Sequence, residues 1–286
     1  MPCRGRFAPS PTGELHFGSL IAALASWLRA RQQQGEWLLR VEDIDPPREV
    51  PGSAESILAT LQHLELRADR SPLHQSRREE AYANALERLQ DDGRAFACWC
   101  SRAELESAGA MHRDGHCIAP PHDGRNPAWR LRVPDCDIAF DDGLQGPQHQ
   151  NVRAAVGDFV LQRADGLWSY QLACVVDDAY QEITEVVRGC DLLDSTPRQI
   201  LLQRLLDMPT PAYLHLPLAV NAQGRKLSKS SDAPTVDTQN TRATLARALR
   251  FLGQPVPEAQ DPVEMLRIAA KDFDLETLHG VTARCV

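Results

Sequence analysis

The residues whose types and spacing suit chemistry fall in three places. The first is Arg6-Phe7-Ala8-Pro9-Ser10-Pro11-Thr12-Gly13-Glu14-Leu15-His16-Phe17-Gly18-Ser19, a Pro/Gly-rich turn between a short apolar run and a long helical period. A helix beginning near Ser19 aims its free N–H groups and positive dipole end at any anion above that turn. Gly13 and Gly18 let a bulky ligand approach the backbone, Pro9 and Pro11 hold the turn extended, and His16 is placed to donate to a phosphate. The second is Lys226-Leu227-Ser228-Lys229-Ser230, on a loop introduced by Asn221-Ala222-Gln223-Gly224. Lysines on a loop facing a helix N-terminus can stabilise the charge that develops on a transferring phosphoryl group; otherwise they form a solvated basic loop. The third is Cys98-x-Cys100 with Cys117 after Met111-His112-Arg113-Asp114-Gly115-His116. Three thiolates and a fourth ligand would make a tetrahedral zinc knuckle, against the alternative of free cysteines in a loop.

The elements that must position these groups read as an α/β chain. Residues 4–8 predict a buried strand, Leu20 to Arg31 a helix with Leu20, Ile21, Leu24 and Leu28 at helical spacing, and Trp37 to Val41 a second strand. That unit has its active edge at the carboxyl ends of the strands, where Glu42 comes first and could hold an ammonium group. Ser53 caps a helix through Leu64, and Arg77 to Leu89 gives another. From Phe96 the texture becomes irregular and rich in Cys, His, Pro and Gly, with short strands at 129–133 and 158–163. Tyr170 to Asp178 and Ile183 to Gly189 predict buried strands, Asp194 to Pro197 opens a helix through Leu206, and Leu214 to Val220 is the last core strand. From Thr241 the chain reads as helical and amphipathic. The expected division is 1–95 and 166–220 as two halves of a Rossmann-like catalytic domain, 96–165 as an inserted subdomain, and 221–286 as lysine loop and helical segment.

Bulk properties narrow the class without choosing a reaction. A chain of 286 residues suits one catalytic domain with an insertion. No apolar run approaches a membrane span and the N-terminus lacks a basic-then-apolar signal pattern, so the chain is expected to be cytoplasmic, without membrane contact, and its cysteines reduced thiols. The net charge of −8 argues against a globally basic nucleic-acid binder, so RNA would need a local basic patch or recognition by shape.

His16-Phe17-Gly18-Ser19 and Lys226-Leu227-Ser228-Lys229-Ser230, in this order, resemble the two signatures of class I aminoacyl-tRNA synthetases, with Ser19 at the second histidine and Leu227 at the methionine. Arg6 to Gly13, Val41-Glu42-Asp43-Ile44-Asp45, Val175-Val176-Asp177-Asp178 and Val187-Arg188-Gly189 resemble stretches of the glutamyl-tRNA synthetases. The resemblance implies a class I Rossmann-like fold, ATP with Mg2+ as substrate, and L-glutamate as the amino acid. ATP would meet His16, Gly18, Ser19, Lys226, Ser228 and Lys229, with His16 and Lys229 catalytic. Glutamate would meet Arg6, Phe7, Ala8, Pro9, Ser10, Glu42, Tyr170 and Arg188, a set that also makes sense by charge: two carboxylates and an ammonium want guanidinium donors and at least one acid.

Only fifty-odd residues follow Lys229, too few for a helical anticodon reader. With Val41 to Glu49 and the Cys-x-Cys insertion, this makes the chain resemble the truncated paralogues of that family, over nearly its whole length. The resemblance implies activation of glutamate to glutamyl-adenylate and its transfer to queuosine at the wobble position of tRNA(Asp), and the chain is expected to be a monomer. The alternatives are a truncated synthetase charging a tRNA 3′ end and a non-catalytic RNA-binding paralogue. In these relatives the fourth zinc ligand is usually a tyrosine four residues before the last cysteine. That position here is Arg113, a guanidinium that stays protonated, so Zn2+ would need His112 or His116 beside Cys98, Cys100 and Cys117.

Overall fold

The computed structural model describes residues 3–107, 111–121, 124–221, 223–225 and 236–286. The lysine-loop residues Lys226, Leu227, Ser228, Lys229 and Ser230 therefore lie outside the described residues. Strand β1 (Arg4–Phe7), helix α1 (Phe17–Gln32) and strand β2 (Glu36–Val41) form the first unit, with β1 and β2 parallel and Arg6 beside Leu38. Along β2 the side chains alternate between two cores: Trp37 and Leu39 pack with α1, and Leu38 packs on the opposite face. Both faces are covered, as a parallel sheet requires. Helix α1 buries Leu20, Leu24 and Leu28 completely, the spacing read from the sequence.

Helix α2 (Ser53–His63), the short strand β3 (Leu73–His74) and helix α3 (Glu79–Asp91) follow, and β3 extends the parallel sheet beyond β2. Ser53 does not cap α2 with its side chain, as the sequence suggested; Gly52 is the N-cap. The Ser53 hydroxyl instead clasps the nucleotide-type turn, accepting from Gly13 N at 3.0 Å and donating to Gly13 O at 2.6 Å. Gly13 has φ 133°, a conformation that side-chain-bearing residues rarely adopt, so the clasp secures a turn only glycine makes readily.

The middle of the chain holds β4 (Ala95–Cys98), α4 (Arg102–Ser107), β5 (Ala128–Leu131), β6 (Asp137–Asp142), β7 (Gly146–Asn151), α5 (Val152–Ala155) and β8 (Val160–Gln162). Strands β4, β5 and β8 make a separate antiparallel sheet. The β6/β7 hairpin goes elsewhere. It joins the sheet of β9 (Glu185–Gly189) and β10 (Ala212–Leu216), with Asp142 beside Tyr213. The backbone at Thr184, just before β9, donates to Arg4 O at 3.0 Å and brings that sheet against β1.

The largest departure from the sequence reading lies at Tyr170–Tyr180, which is helix α6 rather than a strand. Ser169 caps it by accepting from Leu172 N, and Leu172 through Asp178 are all buried, so no polar stripe betrays the helical period. Helix α7 (Thr196–Leu205) carries its proline in the first turn, as predicted. The expected strand 214–220 is interrupted at Pro217, giving β10 and then β11 (Leu218–Val220). The end of the chain contains helices α8 (Thr241–Phe251) and α9 (Pro262–Lys271), but it closes on strand β12 (Ala283–Cys285), paired in parallel with β11. Among the described residues no helix is long and apolar enough to cross a membrane.

Candidate functional site

A cavity of about 420 Å³ opens at the carboxyl ends of β1, β2 and β9, beneath the N-terminus of α1. It is lined by Arg6, Phe7, Ala8, Pro9, Ser10, His16, Gly18, Ser19, Glu42, Tyr170 and Arg188. Every described residue that the sequence assigned to glutamate or ATP thus meets the same space. This is the crevice in which open α/β sheets place ligands.

At the ligand-facing turn His16 is the N-cap of α1, which starts at Phe17. Its Nδ1 accepts from Ser19 N at 3.3 Å, and its Nε2 lies 3.0 Å from the Ser19 hydroxyl. Accepting at Nδ1 leaves the ring hydrogen on Nε2, where it meets the Ser19 hydroxyl oxygen. The serine that stands where the family signature has a second histidine is therefore bonded to the first.

On the floor of the cavity two guanidinia share carboxylates that the sequence reading did not assign to them. Arg6 donates to Asp178 from Nε at 3.1 Å, and Arg40 donates to the same Oδ1 at 2.7 Å. Arg40 also reaches Glu42 at 3.4 Å and Gln181 at 2.9 Å. All four charged groups are buried. Burial works to raise the Asp178 carboxyl, but the charges and bonds of Arg6 and Arg40 prevail and hold it well below the usual carboxylate range. Burial pushes Glu42 above that range, and Arg40 and Arg6 only partly oppose it. The helical geometry of α6 explains the clustering. Tyr170, Cys174 and Asp178 recur every four residues and share one face, which turns toward the cavity and its floor. The neighbouring Asp177 faces away and binds Gln75, Arg78 and Tyr82, tying α6 to α3 and its approach.

Arg188, near the end of β9, is held differently. Its Nε donates to His215 Nε2 at 3.0 Å, Nη1 to Gln199 at 2.8 Å and the Tyr170 hydroxyl at 3.3 Å, and Nη2 to Thr196 at 2.7 Å and Leu192 O at 3.3 Å. None of these partners is a carboxylate. His215 lies between Arg188 and Asp142 and is lowered below its ordinary value, chiefly by burial. A charged residue inside the apolar run of β2 was the available sequence signal for Arg40. Nothing local marks His215 or Gln199.

A second cluster sits beside the β4/β5/β8 sheet. The sulfurs of Cys98, Cys100 and Cys117 and a ring nitrogen of His112 lie within 4.8 Å of one another. His112 is buried, its Nδ1 is 3.1 Å from Asp158 Oδ2, and its Nε2 is buried without a hydrogen-bond partner. His116 is exposed and bonds the carbonyl of Asp114, while Arg113 is exposed and donates to Ala154 O. Burial raises the Cys100 thiol, yet the backbone N–H groups of Ala119 and Ile118 outweigh it and the thiol lies below its ordinary value. Cys117 is pushed up to about 12 by burial and by the other two thiols. Three sulfurs crowded together with an orphaned imidazole nitrogen form a donor set suited to Zn2+.

Residues 2–279 match the family described as class I tRNA synthetases (E and Q), catalytic domain. Among similar proteins, a glutamyl-Q tRNA(Asp) synthetase of Xanthomonas axonopodis pv. citri is 56% identical over 88% of this chain and 84% of its own length. One from Xanthomonas oryzae pv. oryzae is 52% identical over 96% of this chain and 92% of its own. One from Neisseria meningitidis is 48% identical over 97% of this chain and 98% of its own. Among solved structures, a glutamate tRNA ligase of Elizabethkingia meningosepticum in complex with its amino acid superposes with a TM-score of 0.83. It is 26% identical, covering 99% of this chain and 67% of that one.

Proposed function

Because the chain belongs to the class I (E and Q) tRNA synthetase family, we propose that it activates L-glutamate with ATP and transfers the glutamyl group to queuosine at the wobble position of tRNA(Asp). The observation that carries the amino-acid assignment is the charge arrangement at the buried end of the cavity. There, two guanidinia, Arg6 and Arg40, face two carboxylates, Asp178 and Glu42, while Arg188 adds a cation whose described partners include no carboxylate. With Glu42 ionised, the net charge of this group is one positive, matched to the one negative charge of glutamate. Arg188 and Arg6 would hold carboxylates by charge-assisted bonds, and Glu42 would take the ammonium group. The Tyr170 hydroxyl accepts from Arg188 and keeps its own hydrogen for a ligand oxygen. A substrate lacking either carboxylate would leave a buried cation uncompensated, which is a strong basis for rejecting it.

In this reading a glutamate carboxylate oxygen attacks the α-phosphorus of ATP, pyrophosphate leaves, and an acceptor hydroxyl then takes the acyl group while AMP departs. His16, Gly18 and Ser19 at the α1 N-terminus face the phosphates with N–H groups and the positive helix end. Lys226, Ser228 and Lys229, outside the described residues, complete the phosphate site, and Mg2+ enters with ATP. Transfer to queuosine rather than to a 3′ end is supported by the relatives, which match over most of their length and carry that specificity in their names.

Zn2+ would be held by Cys98, Cys100, Cys117 and His112, cross-linking β4 to the loop before β5, a structural role for residues that do not line the cavity. Of the two histidines that the sequence left open, burial and the orphaned Nε2 favour His112. Glutamate-dependent ATP–pyrophosphate exchange tests the activation step. Exchange with glutamate well above that with aspartate or glutamine supports the reading, and its absence with glutamate overturns it.

A further inference from the structure

The orientation of Arg188 is set by a chain of bonds that begins outside the cavity, in the β6/β7 hairpin. His215 is fully buried on β10, with Nδ1 2.5 Å from Asp142 Oδ2 and Nε2 3.0 Å from Arg188 Nε. A guanidinium can only donate, so His215 Nε2 must be the bare nitrogen and Nδ1 must carry the hydrogen, which Asp142 accepts. The carboxylate is itself pinned. Its Oδ1 accepts from the backbone N–H groups of Leu144 at 3.0 Å, Gln145 at 2.9 Å and His215 at 3.2 Å, leaving Oδ2 for the ring alone. Thr196 stands 3.2 Å from His215 Nε2 and 2.7 Å from Arg188 Nη2, closing a triangle that allows the guanidinium one plane.

We propose that Asp142 and His215 are positioning residues for amino-acid selection: Asp142 selects the tautomer of His215, and His215 accepts Arg188 Nε, so that the guanidinium presents a fixed edge to the cavity. The inference rests on the reading of Arg188 as a holder of a substrate carboxylate. It separates from simple packing because it depends on which ring nitrogen bears the hydrogen. Asp142→Asn keeps an oxygen for the three backbone donors but sets an amide N–H against His215 Nδ1. The ring must then accept at Nδ1 and carry its hydrogen on Nε2, donor against donor with Arg188, the same logic by which a carboxylate fixes the tautomer in a hydrolase triad.

The test combines ring 15N NMR of His215 with steady-state exchange kinetics on the full chain. The wild type should show the Nδ1–H tautomer. Asp142→Asn should show Nε2–H and a glutamate KM raised at least about tenfold, with the ATP KM changed by less than about twofold. His215→Gln, which retains an acceptor toward Arg188, should keep the glutamate KM within about threefold of wild type, while His215→Leu should lose at least about tenfold. If Asp142→Asn does not fold, the Gln and Leu variants carry the same comparison. An unchanged tautomer in Asp142→Asn, equal rises in both KM values, or equal behaviour of His215→Gln and His215→Leu would overturn the proposal. A wild type without glutamate-dependent exchange would overturn the functional reading instead, and the NMR comparison would still judge the tautomer assignment.

Discussion

Arg6 Nε lies 3.1 Å from Asp178 Oδ1, a buried contact between residues 172 positions apart that joins the first strand to the floor of the cavity. The same oxygen holds Arg40 at 2.7 Å. Removing the Asp178 charge therefore takes from Arg6 the carboxylate it donates to and leaves Arg40 with Glu42 at 3.4 Å. Asp178→Asn is expected to lower unfolding stability by about 3–5 kcal/mol, the usual cost of leaving a buried charge unpaired. Urea unfolding measures it through the midpoint at unchanged slope; a loss below about 1 kcal/mol would mean water or another group compensates the pair.

The two carboxylates of this cluster respond to pH with opposite signs. Asp178 is depressed in the folded protein, so its stabilisation is present above the ordinary value of about 3.9 and is lost as pH falls toward its folded value. Glu42 is raised by burial, so on acidification the folded protein takes this proton before the unfolded chain does, and Glu42 then favours folding. For function, a protonated Glu42 cannot pair with an ammonium group. The glutamate KM should rise on acidification while pH is still above the ordinary glutamate range, whereas Glu42→Gln should have a high and pH-independent KM. A wild-type KM that is flat over this range would remove Glu42 from the ammonium site.

Much of this site was legible because its residues sit at strand ends and at one helix start. The period of α1 is regular, and Glu42 directly follows an apolar run, so local pattern sufficed. Helix α6 was misread because Leu172 to Asp178 is buried throughout and includes the β-branched pair Val175 and Val176, a texture shared by buried strands. Read as a strand, the stretch would also put Tyr170 and Asp178 on one face but about 26 Å apart, against about 12 Å along a helix, too far to meet one cavity and its floor. The pairing of β12 with β11 spans more than sixty residues of chain and leaves no local trace. The supports of Arg188 were equally hidden, since Asp142 and His215 are 73 positions apart and meet only through the β6/β10 contact. His112 and His116 flank the same turn, and only the fold distinguishes them, by burying His112 beside the three sulfurs and leaving His116 exposed.

Lys229, whose role rests on the sequence signature alone, should be needed for the adenylate step and dispensable for the fold. Lys229→Ala is expected to slow glutamate-dependent pyrophosphate exchange by well over about tenfold, about 1.4 kcal/mol of barrier. Thermal unfolding should be unchanged within error. A smaller loss in exchange would assign transition-state charge to another cation.

For the thiol cluster, protein purified without chelator should carry no more than one Zn2+ per chain. Joint Cys98→Ser and Cys100→Ser should abolish it, and His112→Ala should weaken it by removing the nitrogen ligand, while His116→Ala should retain full metal. Metal analysis with Co2+ substitution reads both content and ligand set. Retention in His112→Ala with loss in His116→Ala would move the fourth ligand.

The central claim is tested most directly by charging tRNA(Asp) with labelled glutamate, with and without queuosine, and mapping the label by nuclease digestion and periodate sensitivity. Glutamate found only on queuosine-containing tRNA(Asp), on the anticodon-loop fragment carrying the modified nucleoside, is the predicted result. Label on the 3′ terminal ribose, or equal charging of tRNA lacking queuosine, would contradict it.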